Sequence, residues 1–252
     1  MSVATKSDGA RSMIKFVSCL HRIPSLSREE FQQHWGEYHA SLRLRVQHLR
    51  EYVQYHTLGN NPMSRKKVGA EPPFDGFEVT YWDSLEEFRA IVASDPDDAA
   101  AREDRKYFID SSRSFTALVD EKVIIELDHP SAYALVECHS HRPGQTRADF
   151  HHSWLTVHGD FGRRIYKSGL MPGYIQNQIV DMNKDLAREL ALDQETFDGV
   201  GVAYYESAAQ LVACASLPIV TKEAFQAEDN FTDQKRLASV FARRHVLRSA
   251  TR

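Results

Sequence analysis

The chain has 252 residues, 42% hydrophobic and 26% charged, with a formal net charge of −4. That is the composition of a globular protein with room for one large domain or two small ones, and its mild acidity argues against nucleic acid as a partner. No apolar run is long enough to span a bilayer as a helix, and three cysteines (Cys19, Cys138, Cys214) without C-x-x-C spacing argue against a disulfide framework or a thiolate metal site.

Residues 1–12 are polar and lack the apolar stretch of a signal peptide, so a disordered leader and a cytoplasmic location are expected. Residues 14–21 have the length and apolar content of a strand. Ser27 and Glu30 then form a capping box, opening a helix whose apolar stripe is read as Phe31, Trp35, Tyr38 and Leu42. Strands are expected over 52–56 and 76–82. Ser84 and Glu87 cap the next helix, 99–107 reads as a further one, and 115–127 as the closing strand.

The pattern then repeats. Phe31, Trp35 and His39 recur as Phe150, Trp154 and His158, each 119 residues later, and Phe74-Asp75-Gly76 recurs as Phe197-Asp198-Gly199, 123 later. Strands are expected over 133–141, 174–180, 199–205 and near 242–247, with helices capped by Thr146/Asp149 and Ser207/Gln210. The order is βαββαβ twice, the ferredoxin-like pattern. A sheet covered by helices on one face leaves an apolar face to bury. Two fused repeats, 13–128 and 132–250, are therefore expected to form a pseudo-symmetric α+β barrel, sheet facing sheet, with helices outside. The connections 59–73 and 181–196 differ most between the copies, and 184–192 reads as a helix.

The spacing F-x-x-x-W-x-x-x-H after a capped helix start, the later F-D-G, and the acidic segments Glu103-Asp104 to Asp110 and Glu228-Asp229 to Asp233 resemble the EthD family, in duplicate and over nearly the whole chain. The resemblance implies a dimeric α+β barrel fold. It implies relatives that include cofactor-free monooxygenases, polyketide cyclases, decarboxylases of aromatic acids and some haem proteins. It also implies that the helical histidines His39 and His158 line a pocket.

Two sets of residues could carry chemistry. His39 and His158 each lie four residues after a tryptophan, which on a helix sets imidazole beside indole over the buried face. In the strand opening the second copy, alternation puts Glu137, His139 and His141 on one face and Val136, Cys138 and Ser140 on the other. With His21-Arg22 aligned to His141-Arg142, the first copy carries Val17, Cys19 and His21 on the matching face. A shielded carboxylate beside imidazoles suits general acid–base chemistry. Trp35, Trp154, Tyr174, Tyr204 and His21 are candidate walls for an apolar substrate. The histidine pairs 139/141 and 151/152 lack metal-ligand spacing, and no phosphate loop or serine elbow occurs, so neither metal nor cofactor is expected.

The leading expectation is a cofactor-independent lyase, a decarboxylase or cyclase, acting on a small aromatic or polyketide-like substrate. One of His139, His141 or His158 would move the proton and Glu137 would orient it. The alternatives are a cofactor-free monooxygenase on a phenol and a non-catalytic binding or assembly module. A fused barrel needs no partner, but its outer helices or loops leave room for a homodimer.

Overall fold

A computed structural model describes residues 13–59, 61–62, 71–127, 129–181 and 197–249. The expected leader, most of the 59–73 connection and the helix expected over 184–192 lie outside the described residues. The first half runs β1 (Ile14–Leu20), α1 (Arg28–His34), a π-helical turn (Trp35–His39), α2 (Ala40–Arg43), β2 (Leu49–Thr57), β3 (Gly76–Trp82), α3 (Leu85–Ser94), α4 (Pro96–Arg105) and β4 (Phe115–Ile125). The second runs β5 (Tyr133–His139), α5 (Arg147–Ser153), a π turn (Trp154–His158), α6 (Gly159–Tyr166), β6 (Gly173–Ile179), β7 (Gly199–Tyr205), α7 (Ala208–Ala215), a π turn (Ile219–Ala224), α8 (Phe225–Glu228) and β8 (Ala238–Arg248). Of the four expected capping boxes two form in full, Ser27 with Glu30 and Thr146 with Asp149, and fix where α1 and α5 begin, while Ser84 and Ser207 cap by accepting from the Glu87 and Gln210 N–H groups without the reciprocal bond.

The eight strands close into one antiparallel barrel in the order β1-β3-β2-β8-β5-β7-β6-β4. Each half contributes the same order, fourth strand, first, third, second. The halves do more than face each other. They are hydrogen-bonded edge to edge, β2 to β8 and β4 to β6, so no sheet edge is left open. Equivalent strands point the same way, which sets the pseudo-twofold axis along the barrel. On that axis Cys19 meets its counterpart Cys138, Sγ to Sγ 3.4 Å, and Phe74 meets Phe197. Eight strands give a bore that side chains can fill. Val17, Val53, Phe77, Ala117, Val136, Val200 and Val240 fill it, and Phe74, Phe115 and Phe197 plug one end. The other end opens into a polar mouth of about 740 Å³ around Lys15, Tyr55, Tyr81, Glu121, Tyr204 and Arg244.

The F-D-G repeats serve this architecture. Asp75 is clamped by Arg22 and Arg28, and Asp198 by the His141 and Arg147 side chains, tying the end of the first strand to the first helix of each half. A β-carbon at Gly76 would overlap the Trp35 indole, and one at Gly199 the Trp154 indole. Both tryptophans are fully buried. Gly199→Ala is therefore expected to destabilise the fold by about 1–3 kcal/mol, the usual cost of overpacking a tight core. A urea titration should show an earlier midpoint, and an unchanged midpoint would remove the packing role given to this glycine.

The expected helical stripe needs one correction. Tyr38 is 56% exposed and Val157 42% exposed, while His39 takes the inward position in the first half. The π turn after each tryptophan is the cause. Its wider coil swings the residue three along away from the sheet and turns the histidine four along inward, where His39 packs on Phe108 and His158 on Tyr174.

Candidate functional site

The strand face expected to be shielded lies outside the barrel bore. Ala134, Val136 and Cys138 point inward, whereas Leu135, Glu137 and His139 point into the layer between sheet and helices. The two halves superpose with Val17 on Val136 and Cys19 on Cys138, an offset of 119. Both sit opposite equivalent residues of the neighbouring strand, Val79 and Val202. Aligning the His-Arg dipeptides uses an offset of 120, which turns the strand over. The true first-half counterparts of Glu137, His139 and His141 are Ser18, Leu20 and Arg22.

Between β5, β6, β7 and the helices of the second half lies a narrow cleft of about 70 Å³. Glu137 and Leu135 come from β5, Tyr174 from β6, His158 from the π turn, and Glu228 from the end of α8. Met171, Val220 and Phe225 close it with apolar side chains. His158 Nδ1 lies 2.9 Å from the Tyr174 hydroxyl, and its Nε2 lies 3.5 Å from Glu228 Oε1. Gln176 donates to the same hydroxyl at 3.3 Å and to the Trp154 carbonyl at 2.8 Å, which holds Tyr174 to the helix. Burial lowers the pKa of His158, opposed by the charge of Glu137, and burial raises that of Tyr174. At neutral pH the pair is an uncharged imidazole and an intact phenol.

His139 lies behind this cleft, 1% exposed, between Trp154, Phe150 and His158. Its Nδ1 is 3.7 Å from Glu228, too far for a hydrogen bond. Burial first, and the neighbouring His158 second, push its pKa down to about 3. His141 stands apart at the strand end, its Nδ1 2.8 Å from Asp198 within the clamp already described.

In the first half His39 is enclosed. Its Nδ1 is 2.9 Å from Asp104, which also holds His34, and its ring packs on Phe108. The resemblance implies a pocket wall for His39, but it lines neither the cleft beside His158 nor the barrel mouth. His39 is 2% exposed. Trp35 is buried, donating to Glu78 at 3.3 Å. Trp154 forms the floor beneath His139. Tyr204 points into the barrel mouth, 3.2 Å from Tyr55 and away from the cleft. His21 packs on Phe74 at the plugged end. Of the proposed residues, the cleft brings together His158, Glu137 and Tyr174.

Sequence reasoning misses Glu228 as a site residue, although it stands in the acidic segment that marks the second repeat. Its first-half counterpart at the 123-residue offset is Arg105, so the acid that meets the helical histidine comes from a different position in each half: Asp104 for His39, Glu228 for His158. The histidine pairs considered for metal do not converge. Among the described residues only His48, Asp83 and Glu87 bring three ligand-type atoms within 4.8 Å, and there Asp83 is forked by Arg50 and Glu87 accepts from Ser84.

The fold and this site define a tandem α+β barrel with a sheet–helix cleft in its second half. The EthD domain model matches residues 23–112 and 142–235, and the chain belongs to that family. No curated protein matches the sequence. Among solved structures, an anthrone oxidase-like protein superposes with a TM-score of 0.63 at 7% identity, covering 95% of this chain and 94% of its own. A candidate monooxygenase from Lactobacillus acidophilus NCFM gives 0.53 at 11% identity, covering 92% and 93%. A second, from Fusobacterium nucleatum subsp. nucleatum ATCC 25586, gives 0.55 at 8%, covering 94% and 93%. At these identities the likeness is one of fold. No described helix is long and apolar enough to cross a membrane.

Proposed function

We propose that the second-half cleft is the active site of a cofactor-independent oxygenase for an electron-rich cyclic carbon acid of the anthrone type, whose enol tautomer is a phenol. The observation that carries this reading is the chain Gln176–Tyr174–His158–Glu228 at the edge of a cleft whose remaining lining, Glu137 apart, is mostly apolar. Each half is read as a ferredoxin-like repeat, which its strand order supports.

A phenolic oxygen can accept two hydrogen bonds while donating one. In the productive tautomer Tyr174 accepts from Gln176 and from His158 Nδ1–H, and turns its own proton into the cleft. His158 Nε2 is then the base. It removes a proton from the substrate, Glu228 stabilises the imidazolium, and Tyr174 donates to the substrate oxygen as that oxygen gains charge. The resulting electron-rich carbanion reduces dioxygen itself. In the net reaction one ring methylene and one dioxygen molecule give one ring ketone and one water. One oxygen atom enters the product, the other leaves as water, and the electrons come from the two C–H bonds of the methylene.

Decarboxylation would begin with similar proton handling. The named fold neighbours favour oxygenation, so the lyase expected from the sequence gives way to its alternative. A cleft of about 70 Å³ is small beside a typical ligand pocket. Substrate entry therefore requires Phe225, Val220 and the adaptable Met171 to part.

With anthrone as probe, the protein is expected to consume one dioxygen per ketone formed, above the rate in buffer alone. Incorporation of labelled oxygen from the gas would distinguish this from hydrolysis. Anaerobic release of carbon dioxide from hydroxybenzoates, without oxygen uptake on anthrone, would overturn the reading in favour of a lyase. No turnover of either compound would favour a binding module.

A further inference from the structure

The first half contains the corresponding cleft, and its charge is reversed. It is larger, about 300 Å³, and is lined by Arg43, Arg102, Arg105 and Lys106 against the carboxylates of Glu78 and Asp98. At the offsets established by the strand registers, Arg43 corresponds to Gly162, Arg102 to Phe225, Arg105 to Glu228 and Ser18 to Glu137. The second-half cleft has no lysine or arginine in its lining. One fold position therefore holds a surplus of cations in one copy and two carboxylates in the other.

The cations are not consumed by internal pairing. Asp98 takes both Arg43, at 2.8 Å, and Arg102, at 2.7 Å, so one carboxylate answers two guanidiniums. Glu78 is buried and accepts from Trp35 and Tyr52. Lys106 pairs with Glu103 on the exposed face of α4. Arg105 makes no side-chain hydrogen bond or ion pair with any described residue, although it lines the cavity. Opposite the cations stand Phe16, Phe88 and Val92, with the Ser18 and Thr116 hydroxyls 2.9 Å apart at the sheet surface.

We propose that this first-half cleft is a binding site for a small organic carboxylate, held by its anionic group on Arg105 and by its apolar body on Phe16, Phe88 and Val92. A guanidinium fork matches a planar carboxylate, and a partly desolvated site strengthens the pairing. The volume falls at the lower end of the range for small-molecule pockets. The apolar wall selects an organic acid over bare phosphate. The site stands independently of the oxygenase reading, because none of these residues belongs to the second-half cleft.

Benzoate is the probe, with benzyl alcohol as its uncharged counterpart and inorganic phosphate as the charge-only control, in titration calorimetry and amide chemical-shift mapping of the full chain. Benzoate is expected to bind at one site at least tenfold more tightly than either control, with shifts clustered on β1, β4 and α4. Arg105→Gln should abolish that preference. Because Arg105 supports no other side chain, the variant should keep the wild-type melting curve. Val92→Trp, which fills the cleft from its rim, should block benzoate while leaving Arg105 in place. Equal binding of benzoate and benzyl alcohol, tighter binding of phosphate, shifts confined to the second half, no benzoate binding, or benzoate binding unchanged in Arg105→Gln would each overturn the proposal.

Discussion

Replacing His158 with glutamine is expected to lower the turnover of an anthrone-like probe by about 100- to 10,000-fold, the usual contribution of a positioned general base. The loss should appear in kcat and leave folding intact, because the imidazole sits at a cleft and its side chain is 20% exposed. Tyr174→Phe removes both the acceptor that orients the His158 ring and the donor to the developing oxyanion, and should lower kcat by about 100- to 1,000-fold. The acid limb of the pH–rate profile supplies a second readout. Burial lowers the pKa of His158, so its basic form persists below the ordinary imidazole value and activity should fall only at more acid pH. If His158→Gln turns over at the wild-type rate with a matching melting curve, the base lies elsewhere and the proposed mechanism fails.

The second large effect is on stability in mild acid. His139 has a folded pKa of about 3 and an unfolded one near the ordinary 6.5. Above about pH 6.5 both states carry it neutral, and its contribution is fully present. Below that, the unfolded chain takes up a proton that the folded chain refuses. Stability then falls by about 1.4 kcal/mol per pH unit until the folded group titrates. Between pH 6.5 and 5.0 this one residue should remove roughly 2 kcal/mol. His139→Leu reproduces what the first half already has, since its counterpart is the buried Leu20. That variant should fold at pH 7.5 and show a shallower acid dependence of its urea midpoint. Some slope will remain, because His56, stacked on Trp35, is also pushed down to about 3 by burial and by His245. Parallel pH dependences in the variant and the parent would show that His139 is not held neutral by its surroundings.

The errors of sequence reading have physical causes that can be located. The face of β5 is misassigned relative to β1 because the two His-Arg dipeptides look homologous. The bridge partners show that Arg22 and His141 are the equivalent pair, each bonded to the F-D-G aspartate of its half. Side chains alternate along a strand, so that single-residue slip exchanges the bore for the cleft. The stripe on α1 and α5 runs through Tyr38 and Val157 only in a regular α-helix, and nothing in the residue pattern announces a π turn. Glu228 escapes recognition because its reach to His158 crosses 70 residues of chain and depends on where α8 ends.

What the residues alone determined is local. Capping boxes start the helices, alternating apolar positions make the strands, and a constant offset between Phe31-x-x-x-Trp35 and Phe150-x-x-x-Trp154 declares two copies of one unit. Each cap and each strand pattern is encoded within about a dozen neighbouring residues, where backbone geometry leaves few choices, and the repeat is two such stretches compared. Only the folded chain decided that the sheets join at their edges into a closed barrel, that Glu137 faces helices instead of the bore, and that one cleft gathers arginines while its twin gathers carboxylates. Those outcomes depend on strand register and on the widened helical turn, which set the distance between side chains far apart in sequence. A shift of one residue in either would place different groups beside His158.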